Sequence, residues 1–169
     1  MRFSIADRNS DASALAKLFS ANLNASYISH SELQGARALA PGKWAPDIQG
    51  TLRDEIVDRL HEPLPRFPKG KNWIGVVEAY DANSLVGLAF VTIAADAPIP
   101  YGVIEDIVID GTRRGKGLGE EFMRWLIDSF AQAGARRTFL ESGIGNESAH
   151  HLFERLGFKT TSIVMMREG

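Results

Sequence analysis

The sequence predicts an α/β fold in which hairpin strands come first and strand-helix-strand units follow, so that the central sheet is mixed. Residues 73–80 and 85–94 are β-rich runs on either side of the turn-forming letters DANS, which indicates a hairpin. A further strand-like run, RRTFLES, comes directly after a strong helix pattern. That helix is predicted by apolar residues at helical spacing, namely Leu118, Phe122, Trp125, Leu126 and Phe130.

The elements before the hairpin are predicted from shorter signals. RFSIA alternates as a short strand, and Ser10 or Asp11 can cap a helix that runs to about Asn24. Residues 25–46 have no clear period, and we expect an irregular region with one helical turn over residues 32–39. From Asp47 the apolar spacing predicts a helix that stops at the three prolines of HEPLPRFPKG.

The elements after the hairpin complete the pattern. YGVIEDIVID is predicted to be a third strand, and the glycine-rich RRGKGLG separates it from the strong helix. NESAHHLFERLG is predicted to be a helix with Gly157 at its C-terminal cap, and KTTSIVMM to be the last strand.

Length and composition restrict the function classes. The 169 residues, with 44% hydrophobic and 24% charged side chains, suit a single domain over residues 1–169. The absence of Cys excludes disulfides, thiolate metal sites and a cysteine nucleophile. A formal charge of −2 speaks against a nucleic-acid surface, so any bound anion needs a local site. We expect no metal, because the four His have no acidic partners at the spacing of a metal-binding helix. We expect no membrane association and a cytoplasmic location, because no stretch approaches the roughly 20 apolar residues of a membrane span.

The glycine-rich turn after the third strand is the sharpest local feature. Glycines at a helix N-terminus let a phosphate approach free backbone amides. The spacing does not fit a P-loop, since only three residues separate Gly111 from Gly115 and Gly117 stands where a hydroxyl is required. It does not fit a dinucleotide fingerprint either, because the glycines form GxGxG. A connector without a ligand is the remaining alternative.

Two motifs in order resemble those of the GCN5-related N-acetyltransferases. The turn matches the Arg-x-x-Gly-x-Gly pattern with Arg114, Gly117 and Gly119, and the later segment Asn146-Glu-Ser-Ala149 continues to Phe153 and Gly157-Phe158. The resemblance covers roughly residues 73–166 as a CoA-binding core and leaves residues 20–72 as a variable, substrate-side segment. It implies a mostly antiparallel central sheet flanked by helices, with a V-shaped splay between the central strands.

The resemblance also implies a set of acetyl-CoA contacts. The opening would lie between the strand that ends at Ile109 and the strand that ends near Glu141. Backbone groups of one strand would pair with the pantetheine amides, turn amides would hold the pyrophosphate, and Asn146 would bind the pantetheine arm. The implied cofactor-binding residues are Ile107, Val108, Ile109, Arg114, Gly115, Lys116, Gly117, Leu118, Gly119, Asn146 and Phe153.

Two adjacent carboxylates are the candidate catalytic residues. A free alkylamine has a pKa near ~10, so a base must help to remove its proton before it attacks a thioester. Glu105 and Asp106 interrupt an apolar strand beside the implied acetyl position. Strand alternation predicts that they face opposite sides of the sheet, with Glu105 beside Ile107 and Ile109. Glu105 is favoured as base or ammonium anchor; the alternative is that one carboxylate pairs with a nearby Arg.

Phe153 departs from the family pattern. Many members have Tyr at this place, whose hydroxyl is the usual candidate to protonate the departing thiolate, and Phe has no such proton. Either the thiolate leaves unassisted, since a thiol has a pKa near ~8.5, or another group donates. The candidate donors are His150, His151, Ser148 and Tyr101.

The acceptor is left open by the sequence. Tyr27, Trp44, Trp73 and Glu141 are candidate substrate-side residues, and the acidic pair would suit a cationic amine. The resulting hypothesis is an acetyl-CoA-dependent N-acetyltransferase that acts on the primary amine of a small molecule. A non-catalytic acyl-CoA-binding module and a protein-lysine acetyltransferase are the alternatives, and a homodimer is a family tendency.

Overall fold

The computed structural model describes all 169 residues of the chain. In chain order its elements are β1 (Arg2–Ile5), α1 (Ala12–Ala21), a 3-10 turn (Ala25–Tyr27), α2 (His30–Gln34), β2 (Ala38–Ala40), β3 (Lys43–Trp44), α3 (Ile48–Asp58), β4 (Trp73–Asp81), β5 (Ser84–Ala94), β6 (Tyr101–Ile109), a 3-10 turn (Gly111–Arg113), α4 (Leu118–Ala133), β7 (Arg137–Leu140) and α5 (Glu147–Arg155).

The chain divides into two compact units. The first unit contains Met1–Asn22 and Gln49–Glu141, and the second contains Leu23–Ile48 and Ser142–Gly169. No helix of the structure combines the length and the apolar character that a membrane crossing requires.

The first unit is built on a five-stranded sheet in the order β1-β4-β5-β6-β7. The neighbouring pairs β1–β4, β4–β5 and β5–β6 are antiparallel, and β6 and β7 pair parallel. Helix α4 connects the two parallel strands, as a crossover requires. This sheet confirms the predicted mixed, mostly antiparallel architecture.

Helices cover both faces of the sheet. On one face a Cβ at Gly102 of β6 would overlap the ring of Phe130 in α4, so glycine is required for this close approach. On the other face Phe19 of α1 packs against Phe90 of β5, with ring centroids 5.7 Å apart. The two central strands β4 and β5 are therefore buried on both sides, which explains why both read as nearly continuous apolar runs.

The helix boundaries follow the predicted signals closely. Asp11 is the N-cap of α1 and accepts a hydrogen bond from the Ala14 amide at 3.0 Å, while the helix ends at Ala21 rather than at Asn24. Helix α3 begins at Ile48, as the spacing from Asp47 predicts. Leu156 is the C-cap of α5, and Gly157 directly after it has a φ of 88° in the left-handed region, so the predicted glycine turn is present one residue beyond the cap.

The second unit contains short elements that the sequence pattern did not resolve. Helix α2 begins at His30, earlier than the expected turn, because Ser29 and Glu32 form a reciprocal capping box. Ala38–Ala40 is a strand rather than helix, and it pairs with β3 across the tight turn at Gly42. The single helical turn predicted over residues 32–39 is therefore wrong in its second half.

The predicted last strand is also wrong. Residues 159–166 form no strand, and the apolar side chains from Ile163 to Met166 are exposed. A β-branched run has strand propensity, but a strand exists only where a second strand offers a ladder, and this segment has none in the structure. Strand propensity alone therefore predicted a C-terminal strand that the structure does not contain.

Candidate active site

The β6 strand has a free edge along its second half. It pairs with β5 along its whole length, but its parallel ladder with β7 runs only from Tyr101↔Arg137 to Ile104↔Leu140. The two strands part after that point, so the backbone of residues 105–109 on the β7 side has no strand partner. This is the predicted splay, and it leaves the Ile107–Ile109 backbone available to pair with an extended, amide-bearing ligand.

The glycine turn follows this free edge without interruption. Gly115 and Gly117 have φ values of 75° and 77°, in the left-handed region that favours glycine. Nothing lies within 4 Å of the position that a Cβ would take on either residue. Gly117 is the N-cap of α4 and supplies no side-chain hydrogen bond. The first amides of a 16-residue helix, from Leu118 onward, are thus left without a side-chain cap at its positive end.

An aspartate fixes the start of the turn. Asp110 Oδ1 accepts hydrogen bonds from the amide and the hydroxyl of Thr112, each at 2.9 Å. These bonds, the backbone one first, hold the pKa of Asp110 below its usual range. Next to it Arg113 donates to Asp81 at 2.9 Å, so this guanidinium is engaged in the hairpin turn, whereas Lys116 is exposed to solvent.

Asn22 anchors the turn from α1, and sequence reasoning missed it. Its side-chain oxygen accepts from the Gly111 amide at 2.6 Å, and its backbone oxygen accepts from Arg114 Nη2 at 3.3 Å. Its amide nitrogen donates to Leu18 O, which ties the residue to its own helix. The sequence shows only an Asn at the end of a helix pattern, and such an Asn does not indicate a contact with the distant Gly111.

The two carboxylates lie on one face of the sheet, contrary to the predicted alternation. Asp106 is opposite Phe90 and Ile104 is opposite Val91, so Glu105 is the extra residue of a β-bulge. The Thr92 hydroxyl, on the same face of β5 as Phe90, donates to Glu105 Oε1. The expected grouping of Glu105 with Ile107 and Ile109 is therefore wrong, because the bulge shifts the strand's period by one residue.

Glu105 forms an ion pair with a residue that sequence reasoning did not single out. Arg59, directly after α3, places Nη2 at 2.7 Å from Glu105 Oε2. The side chains of Arg59 and Glu105 are 21% and 30% exposed, while Asp106 is 4% exposed and thus buried. Glu105 is the more accessible carboxylate of the pair, and it is already held by an arginine.

Trp73 and Glu141 are the other candidates in the first unit. Trp73 is buried beside Phe67, with ring centroids 5.1 Å apart, and also packs on His61. It lies in the aromatic part of the core and not with the carboxylates. Glu141 follows β7 directly and is exposed at the end of the strand that leaves β6.

The remaining candidate residues belong to the second unit. Asn146 is the N-cap of α5, and its side chain makes no capping hydrogen bond. Phe153 is buried and meets Phe158 edge to face at 6.2 Å. Tyr27 and Trp44 have ring centroids 6.2 Å apart, and the Trp44 indole donates to Asn24 O at 3.2 Å. The two aromatic substrate-side candidates of this unit therefore lie together.

The first unit combines a free strand edge, a glycine turn with open amides and two carboxylates on one sheet. Such a site suits a ligand with an amide-bearing arm and a phosphate-bearing end, of the kind that acyl-CoA-binding proteins hold. Residues 44–158 match the model of the acetyltransferase (GNAT) family. The chain therefore belongs to the GNAT family of acetyltransferases.

Individual relatives agree with this assignment. Over 71% of its own length, the present chain is 34% identical to the uncharacterized N-acetyltransferase YobR of Bacillus subtilis. Over the same share of its length, it is 26% identical to the glucosamine 6-phosphate N-acetyltransferase of Arabidopsis thaliana. The matches span 50% of the first relative and 80% of the second, and a match to a Mycobacterium leprae protein spans only 35% of that relative. Among solved structures, a ribosomal-protein-alanine N-acetyltransferase of Brucella melitensis has the same fold at a TM-score of 0.63 and 17% identity, with 99% and 100% of the two chains covered.

Proposed function

We propose that this protein is an acetyl-CoA-dependent N-acetyltransferase that moves an acetyl group directly to the primary amine of a small molecule. The observation that carries the proposal is the continuity of the free β6 edge with the open glycine turn and the uncapped N-terminus of α4. Family membership supports the same co-substrate. The relative that is named as a glucosamine 6-phosphate N-acetyltransferase supports a small-molecule acceptor.

The first unit supplies backbone groups for both the pantetheine arm and the pyrophosphate of acetyl-CoA. The edge of Ile107–Ile109 would pair with the pantetheine amides, and the amides from Arg114 to Gly119 would hold the pyrophosphate. Acetyl-CoA supplies an activated acyl group as a thioester. With no Cys in the chain, no thiol is available to carry the acetyl group on the protein, which favours direct transfer.

The acidic residues of β6 would remove the proton from the acceptor amine. The acceptor nitrogen must be neutral when it attacks, so a carboxylate has to take its proton, directly or through a water molecule. Glu105 is the more accessible of the two candidates, and Asp106 beside it on the same face is the second. Phe153 supplies no proton for the departing sulfur, which a thiol pKa near ~8.5 makes a fair leaving group at neutral pH.

Native mass spectrometry of the purified protein tests CoA binding, and thiol release from acetyl-CoA in the presence of an amine panel tests transfer. We expect CoA or acetyl-CoA to bind and free thiol to accumulate only when a suitable amine is added. Binding without thiol release for any amine would favour a non-catalytic acyl-CoA-binding module. Release with lysine peptides alone would favour a protein-lysine acetyltransferase, and failure to bind any CoA species would refute the proposal.

A further inference from the structure

The Arg59–Glu105 ion pair leaves no oxygen of Glu105 without a partner. Arg59 Nη2 is 2.7 Å from Oε2, and the Thr92 hydroxyl donates to Oε1. Both charged side chains are partly exposed, so a ligand can reach the pair. A purely cationic amine would have to displace the guanidinium from Glu105 in order to bind there.

Arg59 has more hydrogen-bonding capacity than its partners use. Its Nη1 atom is buried and has no hydrogen-bond partner, and its guanidinium carbon lies 5.0 Å from the centroid of the Phe90 ring. A guanidinium held against an apolar ring with one buried nitrogen unsatisfied is costly, so the pair with Glu105 leaves the hydrogen-bonding capacity of Arg59 only partly used. The planar guanidinium is well suited to bind a carboxylate or a phosphate with two hydrogen bonds.

These contacts separate three kinds of acceptor. A cationic amine that captured Glu105 would leave Arg59 beside a second positive charge, and a neutral acceptor would leave the ion pair closed. An acceptor with both an ammonium group and an anionic group can replace both halves of the pair, because each protein charge exchanges one partner for another. The contacts that this acceptor makes with both side chains then offset the free energy that is lost when the ion pair opens.

We propose that the acceptor is a primary amine that also carries a phosphate or carboxylate, and that Arg59 binds this anionic group while Glu105 binds the ammonium. Arg59 is thus a specificity-determining residue of the site. The inference rests on the proposed function and names the substrate class for it.

Matched pairs of acceptors test the role of the anion. Glucosamine 6-phosphate is compared with glucosamine, and an α-amino acid with its methyl ester, by thiol release from acetyl-CoA and by isothermal titration calorimetry on the CoA-saturated protein. In at least one pair we expect the anionic member to have a kcat/KM at least tenfold higher and to bind more tightly. The pair that responds distinguishes a phosphate from a carboxylate.

Variants of two arginines near each other in the chain then assign the effect. Arg59→Met should remove the preference for the anionic acceptor, mainly by raising the KM of that acceptor. Arg59→Lys should retain part of the preference. Arg53→Met is the matched control, since Arg53 lies on exposed α3 surface and pairs with Asp54 at 2.7 Å; it should keep the preference. If Arg59→Met misfolds because Glu105 is left unpaired, Arg59→Met/Glu105→Gln removes both charges, and calorimetry on it should show no preference.

Equal kcat/KM values within both pairs would overturn the inference while leaving the proposed function intact. A preference for the anionic member that survives in Arg59→Met would overturn it as well. Absence of thiol release with every amine, despite CoA binding, would refute the proposed function. In that case Arg59-dependent binding of glucosamine 6-phosphate or the amino acid in calorimetry would still support the inference.

Discussion

The two glycines that cap α4 allow a direct test of the proposal that the glycine turn binds phosphate. Gly117 and Gly134 lie at the two ends of the same helix, with φ values of 77° and 103°, and nothing lies within 4 Å of a Cβ at either position. Alanine at either site therefore incurs the same kind of left-handed strain and no steric clash within the chain. Gly117→Ala is the test variant, and Gly134→Ala is its matched control.

The stability change should be similar in the two variants. A left-handed Ala costs about 1 kcal/mol, which lowers the Tm of a chain of this size by about 2–4 °C. Acetyl-CoA affinity should differ sharply, because only the Cβ at Gly117 occupies the space in front of the first α4 amides. Loss of one hydrogen bond from an amide to a charged phosphate costs about 1.5–3 kcal/mol, or about 10- to 150-fold in Kd.

Calorimetric Kd values for acetyl-CoA, measured beside thermal unfolding, decide the result. Asn tolerates the left-handed region, so Gly117→Asn should recover part of the stability and still bind acetyl-CoA weakly. If Gly117→Ala and Gly134→Ala had the same Kd for acetyl-CoA, the turn would not be the pyrophosphate site and the reasoning would be wrong.

Three further predictions concern a buried acid, the anchor of the turn and the leaving group. Burial raises the pKa of Glu78 above its ordinary 4.5, so its stabilising contribution is present when the carboxyl is protonated and is lost as the pH rises through the folded-state pKa. Glu78→Gln should therefore be more stable than the parent at pH 7 and not at pH 4 in denaturant titrations; an equal gain at both pH values would contradict this. Asn22→Ala, which removes the 2.6 Å acceptor of the Gly111 amide, should cost about 1–2 kcal/mol and weaken acetyl-CoA binding, whereas Asn22→Asp keeps the acceptor. If Asn22→Ala had the same free energy of unfolding and the same Kd for acetyl-CoA as the parent, Asn22 would not anchor the turn. The family resemblance implies that Phe153 stands where many members have a Tyr proton donor; if it does, Phe153→Tyr should raise kcat by up to about 100-fold. An unchanged kcat would show that protonation of the sulfur does not limit turnover.

Local patterns in the sequence were sufficient for much of the fold. Helix α4 has a complete apolar stripe, the β4–β5 hairpin has a turn between two β-rich runs, and Gly157 ends α5, so each of these elements carries its own signal. The capping box of Ser29 and Glu32 was also present in the sequence and would have placed α2. Short elements with such caps are predictable when the cap is given more weight than apolar spacing.

Features that depend on a distant partner could not be predicted. The segment of residues 159–166 has strand-forming residues, but whether it forms a strand depends on the presence of a ladder. The contact of Asn22 with Gly111 joins residues that are far apart in the chain, and so does the ion pair of Arg59 with Glu105. No spacing rule relates such residues, since only the folded sheet brings them together.

The bulge at Glu105 changes the chemistry that the sequence suggested for the acidic pair. Strict alternation would give each face of the sheet one carboxylate, but the extra residue puts Glu105 and Asp106 on the face that Phe90 and Arg59 share. Arg59 then compensates the charge of Glu105, so this face binds a simple cation less strongly than an unpaired Glu105 would. The same geometry gives the face both a cation and an anion within one ion pair. The proposed acceptor, which carries both charges, would therefore pair with both side chains, whereas the cationic amine that the acidic pair alone indicated would pair only with Glu105.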